Sequence, residues 1–220
     1  MFIYKGQIIQ THDLLEINPE CFLHGVAAQG DRVPDWAEEH VRAVPYGVIR
    51  RGLFGKECLP IGVRGLQRNK RWATSCSFDA IRNVIRPAQL LGGISSPSRV
   101  KEFSAFRSLE LLRARWSDLN EPWGPGGSVG FELATGRKVV KAGSDLDIVI
   151  RAAKPITYER AKILCAQTMD LPAVVDIRVE TPVAGFCLKE YAQKDRAKIL
   201  LRTPEGTVLG RDPWCKYQTS

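Results

Sequence analysis

Gly127-Ser128, followed seventeen residues after the serine by Asp145-Leu146-Asp147-Ile148-Val149-Ile150, constrains this chain more than any other stretch. Side chains at positions i and i+2 of a strand share a face. Asp145 and Asp147 are therefore expected to project together at the mouth of an apolar strand, with Leu146 turned away. Two hard oxygen donors on one face suit a Mg²⁺ ion that also holds phosphate oxygens and waters. Two such ions about 3.5–4 Å apart clamp the attacking and leaving oxygens of a phosphoryl or nucleotidyl transfer. A third carboxylate is available in Asp176, inside the β-branched run Ala173-Val174-Val175-Asp176-Ile177-Arg178-Val179, which predicts a second strand. Glu180 follows on the same face by the period of two and competes for that third place.

Composition narrows the setting. The chain has 220 residues, of which 44% are hydrophobic, enough for one large or two small domains. The start, MFIYKGQIIQTHDLLE, has no charged segment leading into a long apolar core, and no stretch approaches a membrane span. A cytoplasmic location is the resulting expectation. None of the six cysteines is paired as CxxC and several sit in apolar runs, so they are expected as reduced core residues. The formal net charge is +8. It concentrates between Arg50 and Arg86, where Arg50, Arg51, Lys56, Arg64, Arg68, Lys70, Arg71, Arg82 and Arg86 face only Glu57 and Asp79. A patch of that sign attracts nucleic acid, a polyphosphate or an acidic protein.

Two domains are expected, at 1–84 and 85–220, joined through the Gly/Ser/Pro-rich stretch that ends near Ser98. The first is read as smaller and mainly β, with strands at Tyr46–Ile49 and Leu59–Val63. In the second, Phe103, Phe106, Leu109, Leu112 and Trp116 fall three or four apart, predicting one helix from Arg99 to Trp116 capped by Ser98. Phe131–Thr135 and Lys138–Lys141 are expected to form a hairpin around Gly136. A helix over Thr157–Met169, a strand over Ala173–Glu180, a helical or irregular Ala184–Gln193 and a closing hairpin of Ile199–Arg202 and Thr207–Leu209 complete an α+β fold.

The Gly-Ser, DxD and later-carboxylate pattern resembles the DNA polymerase β-like nucleotidyltransferase superfamily. The strings Gly127-Ser128-Val129-Gly130-Phe131-Glu132-Leu133-Ala134-Thr135-Gly136 and Ser144-Asp145-Leu146-Asp147 are more specific. With His12-Asp13-Leu14-Leu15, Gly62-Val63-Arg64-Gly65, Arg68, Arg71, Arg202-Thr203-Pro204-Glu205-Gly206 and Asp212-Pro213-Trp214, they resemble the malonate decarboxylase holo-acyl-carrier-protein synthase family from about His12 to Trp214. The resemblance implies a polymerase β-like catalytic domain with a mixed sheet and flanking helices. It implies transfer of the phosphoribosyl-dephospho-CoA prosthetic group from 2′-(5-triphosphoribosyl)-3′-dephospho-CoA to a serine of the apo acyl-carrier subunit of malonate decarboxylase, with loss of pyrophosphate.

In that reading Asp145, Asp147 and Asp176 are the catalytic carboxylates and hold two Mg²⁺ ions. Gly127 and Ser128 donate hydrogen bonds to the terminal phosphates, with Ser144 as a competitor for the role of Ser128. Arg64, Arg68 and Arg71 contact an anionic part of donor or carrier. Glu132 stands either as an extra ligand or as a solvated glutamate. Neither nucleic acid nor membrane is expected as a partner. The rivals are a transferase for the citrate lyase carrier and a basic carrier- or RNA-binding module without turnover.

Overall fold

Along Cys58–Arg64, half-exposed and buried side chains alternate strictly, the pattern of a strand with one face on a core. In a computed structural model of the chain, which describes residues 2–53, 55, 57–65, 67, 69–93, 96–193 and 198–216, this strand belongs to the first of two compact units, Met1–Arg86 and Pro87–Ser220. Lys56, Arg68, Ile94 and Ser95 lie outside the described residues.

The first unit opens with a hairpin of β1 (Phe2–Tyr4) and β2 (Gln7–Ile9). Its turn residues Lys5 and Gly6 both have positive φ, 46° and 76°, as a two-residue turn matching the strand twist requires. Then come β3 (Leu14–Ile17), α1 (Pro19–Ala28), α2 (Ala37–Ala43), β4 (Tyr46–Ile49), β5 (Cys58–Arg64), β6 (Arg71–Ser77) and β7 (Ile81–Ile85). The strands form an antiparallel sheet in the order β6-β5-β4-β3-β7. Asn18 caps α1 by accepting from the N–H groups of Glu20 and Cys21, and Pro19 opens the helix. Leu15, Ile17, Ile61 and Val63 of the sheet form one core with Phe22, Val26 and Val41 of the helices.

The second unit contains α3 (Pro97–Glu102), α4 (Ser104–Arg115), β8 (Trp123–Pro125), α5 (Gly127–Thr135), β9 (Leu146–Arg151), α6 (Tyr158–Ala166), β10 (Val175–Glu180), β11 (Gly185–Cys187), α7 (Leu188–Gln193), β12 (Ile199–Thr203) and β13 (Gly206–Gly210). Its sheet runs β13-β12-β11-β10-β9-β8. All neighbours are antiparallel except β9 and β10, which are parallel and joined through α6. Thr157 caps α6 by accepting from the Arg160 N–H. Leu146, Ile148, Ile150, Ile177 and Val179 are buried with Phe106, Leu109 and Leu112 of α4 and Val129 of α5. The C-terminal stretch is tied back by Trp214, whose indole N–H donates to the Ala152 carbonyl at 2.8 Å. The fold is mixed α+β, and among the described residues no helix is long and apolar enough to cross a membrane.

Four sequence expectations are corrected. The Arg99–Trp116 helix is two helices, because Phe103 has extended backbone (φ −115°, ψ 125°). That break lays the Phe103 ring against the Arg99 guanidinium, 3.9 Å from its centroid. Ser98 lies within α3 and does not cap it. Its hydroxyl meets that of Ser96. Of the hairpin expected around Gly136, Phe131–Thr135 is the end of the helix α5 and Lys138–Lys141 forms no strand. Gly136 takes φ 69° and ends α5, its N–H bonding the Glu132 carbonyl. Finally, only Cys76 of the cysteines is buried, while Cys21 and Cys215 are exposed.

Candidate active site

The apolar phase of two neighbouring strands decides where the carboxylates point. On β9, Leu146, Ile148 and Ile150 are 0% exposed. Asp147 is therefore forced to the opposite face. On β10, buried Ile177 and Val179 do the same for Asp176. Parallel pairing sets Asp147 directly beside Asp176, about 4.8 Å away along the ladder. Asp145 precedes β9 by one residue and is exposed.

The helix α5 begins against this row. Gly126 donates its N–H to the Asp147 carbonyl at 2.8 Å. Gly127 has φ 52°, and a Cβ there would stand 1.8 Å from Asp147 Oδ2. Only glycine lets the first turn of α5 lie on that carboxylate. Ser128, the next residue, is half-buried. Ser144 closes the turn before Asp145: its hydroxyl accepts from the Lys141 N–H and its N–H donates to the Lys141 carbonyl, both at 3.0 Å.

Arg178 was not singled out from the sequence. Its Nη2 donates to Asp176 Oδ2 at 2.7 Å, and the Cys187 thiol lies 3.9 Å from Oδ1. The signal was present, since Arg178 follows Asp176 by two on a strand and so shares its face. Glu180 is placed in register with Arg151, four residues along β10 from Asp176, and so does not sit beside Asp147. Glu132 is neither a solvated glutamate nor a site ligand. It is buried, bonds Arg99 through both oxygens at 2.7 and 2.9 Å, and accepts from the N–H groups of Val139 and Val140 at 2.8 Å each. Burial pushes its carboxyl up, but the Arg99 and backbone hydrogen bonds outweigh that and hold it below the ordinary glutamate range.

Arg64 and Arg71 belong to the first unit, where they are register partners on β5 and β6. Arg50 covers Gly62 with its aliphatic stem, since a Cβ at Gly62 would be 3.2 Å from Arg50 Cδ. One open groove of the first unit, lined by Glu20, Cys21, His24, Glu57 and Asp79 among others, contains no residue of this set.

Among the described residues, no three His, Cys, Asp or Glu side chains converge tightly enough to hold a metal ion as they stand. By donor type, the oxygens of Asp145, Asp147 and Asp176 are of the hard kind that Mg²⁺ takes.

Two family models match the chain. The phosphoribosyl-dephospho-CoA transferase MdcG C-terminal domain covers residues 93–213, and the corresponding N-terminal domain covers residues 10–87. A phosphoribosyl-dephospho-CoA transferase of Pseudomonas aeruginosa is 34% identical over 184 residues, 84% of this chain and 86% of that protein. The same-named protein of Pseudomonas putida is 32% identical over 206 residues, 93% of this chain and 95% of its own length. That of Klebsiella pneumoniae strain 342 is 33% identical over 208 residues, 93% and 96% of the two chains. No solved structure matches.

Proposed function

The chain belongs to the phosphoribosyl-dephospho-CoA transferase family, a family of enzymes, and on that footing we propose that it modifies an acyl-carrier protein. The group transferred is 2′-(5-phosphoribosyl)-3′-dephospho-CoA, the donor is its triphosphate, and the acceptor is a serine of the apo acyl-carrier subunit of malonate decarboxylase. The observation that carries the reading is the row of Asp147 and Asp176 on adjoining parallel strands, with the first turn of α5 laid on Asp147. The order β8, α5, β9, with Gly-Ser opening the helix and DxD opening the next strand, supports a polymerase β-like nucleotidyltransferase domain.

In this mechanism the serine oxygen attacks the α-phosphorus of the triphosphate. A new P–O bond forms, the bond to the β-phosphate bridging oxygen breaks, and pyrophosphate leaves with that electron pair. Asp145, Asp147 and Asp176 are the residues that would hold Mg²⁺, in a two-ion site. When bound, Mg²⁺ offsets charge on the triphosphate and on the departing pyrophosphate. Asp176 also accepts the proton of the serine hydroxyl. Gly127 and Ser128 present backbone and hydroxyl donors to the terminal phosphates at the start of α5, where the helix dipole favours an anion. Ser144 serves the turn that delivers Asp145. Arg64, Arg71 and Arg68 bind an anionic part of donor or carrier and contribute no general base, since arginine stays protonated. Catalysis rests on positioning and charge compensation.

Purified chain, donor, Mg²⁺ and apo-carrier are expected to release pyrophosphate in proportion to carrier, and EDTA to stop the release until Mg²⁺ is restored. Release that persists in metal-free buffer, or that ignores the carrier, contradicts the reading. Gly127→Ala is expected to lower kcat by on the order of 10²-fold, because the added methyl displaces the Asp147 carboxylate and a displacement of about 1 Å costs that much. A Gly127→Ala enzyme with ordinary kcat would separate the start of α5 from the chemistry.

A further inference from the structure

Asp176 already has a cation. Arg178, two residues along β10 on the same face, holds its Oδ2 at 2.7 Å, and the pair is partly open to solvent, 30% for Arg178 and 36% for Asp176. The neighbour of Arg178 on β9 is Val149 and on β11 is Cys187. The long Arg178 side chain thus rises from the row next to Asp147 and Asp176, beside the carboxylates and among smaller side chains. A divalent ion bound by Asp176 competes with the guanidinium for the charge of that carboxylate, one of whose oxygens Arg178 already holds. The guanidinium cannot shed its charge to make way. It can only move to another anion, and the oxygens of a triphosphate present the planar, multi-acceptor surface that a guanidinium prefers.

We propose that Arg178 is a positioning residue with two partners. In the substrate-free chain it neutralises Asp176 beside Asp147 and keeps the third carboxylate turned from the ion site. When the donor arrives with a divalent ion, Arg178 passes to a phosphate oxygen and Asp176 turns to the ion. Metal binding and donor binding are thereby coupled: each ligand removes a competitor of the other. The inference rests on the carboxylate assignment above and adds the order in which the site fills. A partly exposed ion pair is weak enough for this exchange.

The test is Mn²⁺ titration of donor-free protein by electron spin resonance, followed by titration with inorganic tripolyphosphate in the presence of Mn²⁺. The proteins are wild type, Arg178→Gln, Arg178→Lys and Asp147→Asn. Arg178→Gln is expected to bind Mn²⁺ about three- to fivefold more tightly, the range of a modest ion pair removed, yet to bind tripolyphosphate about tenfold more weakly. Arg178→Lys, which keeps the charge, is expected to stay near wild type for Mn²⁺. Asp147→Asn is expected to lose Mn²⁺ binding. If Arg178→Gln leaves Mn²⁺ affinity unchanged or lowers it while Asp147→Asn abolishes it, the two-partner role is wrong and the carboxylate site stands. If Asp147→Asn binds Mn²⁺ as wild type does, both are wrong. A parallel loss of both affinities in Arg178→Gln marks a merely structural residue and also overturns the proposal.

Discussion

Replacing Asp147 by asparagine is expected to lower the transfer rate by at least about 10²–10³-fold, the cost of removing one preorganised electrostatic group at a reacting centre, and to leave thermal unfolding unchanged. Asp147 sits on the side of β9 away from the core, so its carboxylate is no part of the apolar packing. Leu146, Ile148 and Ile150 carry that task from the other face. Asparagine keeps the shape against which Gly127 lies but loses the charge. Asp176→Asn is expected to be nearly as damaging, and Glu180→Gln much milder, because Glu180 is in register with Arg151 and not with Asp147. Initial rates of pyrophosphate release with carrier and donor in excess, beside a melting curve, check this. An active Asp147→Asn enzyme, or a dead Glu180→Gln enzyme beside an active Asp176→Asn one, contradicts the assignment.

Glu132→Ala is expected to destabilise the protein by about 3–5 kcal/mol, the usual cost of breaking one side of a buried ion pair. The substitution removes the bidentate partner of the Arg99 guanidinium, whose side chain is 12% exposed, leaving it the Val140 carbonyl and Glu102 at 3.8 Å, and it leaves the N–H groups of Val139 and Val140 without their acceptor. Chemical denaturation measures it, and a loss below about 1 kcal/mol would mean that the pair is not buried in solution. The same residue makes stability depend on pH. Its folded carboxyl titrates below the ordinary glutamate range. Its stabilisation is therefore fully present above the unfolded value, about 4.3, and is lost as pH falls through the lowered folded value. Glu132→Gln removes this contribution and is expected to flatten the acid side of the stability curve.

The site was legible where hydrophobic phase spoke directly. In Leu146–Ile150 the apolar residues recur at every second position with Asp147 between them, and in Val175–Val179 the same holds for Asp176. The hairpin of Ile199–Thr203 and Gly206–Gly210 was legible from Pro204-Glu205-Gly206. The helix α5 was not. Its glutamate is buried only because Arg99, 33 residues earlier, meets it, and no local pattern announces such a partner. The strand β7 carries no strand period in its sequence, for a different reason. A bulge between Glu16 and Ile17 pairs them with Asn83 and Ile81, so buried Ile81 and Val84 fall three apart and lose the strand period. The helix break at Phe103 was hidden because its apolar residues keep helical spacing across the break.

The central claim is that a carrier serine receives the group, and intact mass spectrometry of the carrier tests it most directly. After incubation with the purified chain, Mg²⁺ and donor, the apo-carrier is expected to gain the mass of one phosphoribosyl-dephospho-CoA group, and a carrier with its acceptor serine replaced by alanine is expected to gain nothing. An unmodified carrier alongside labelled tRNA, or equal labelling of the serine-free carrier, would contradict the account.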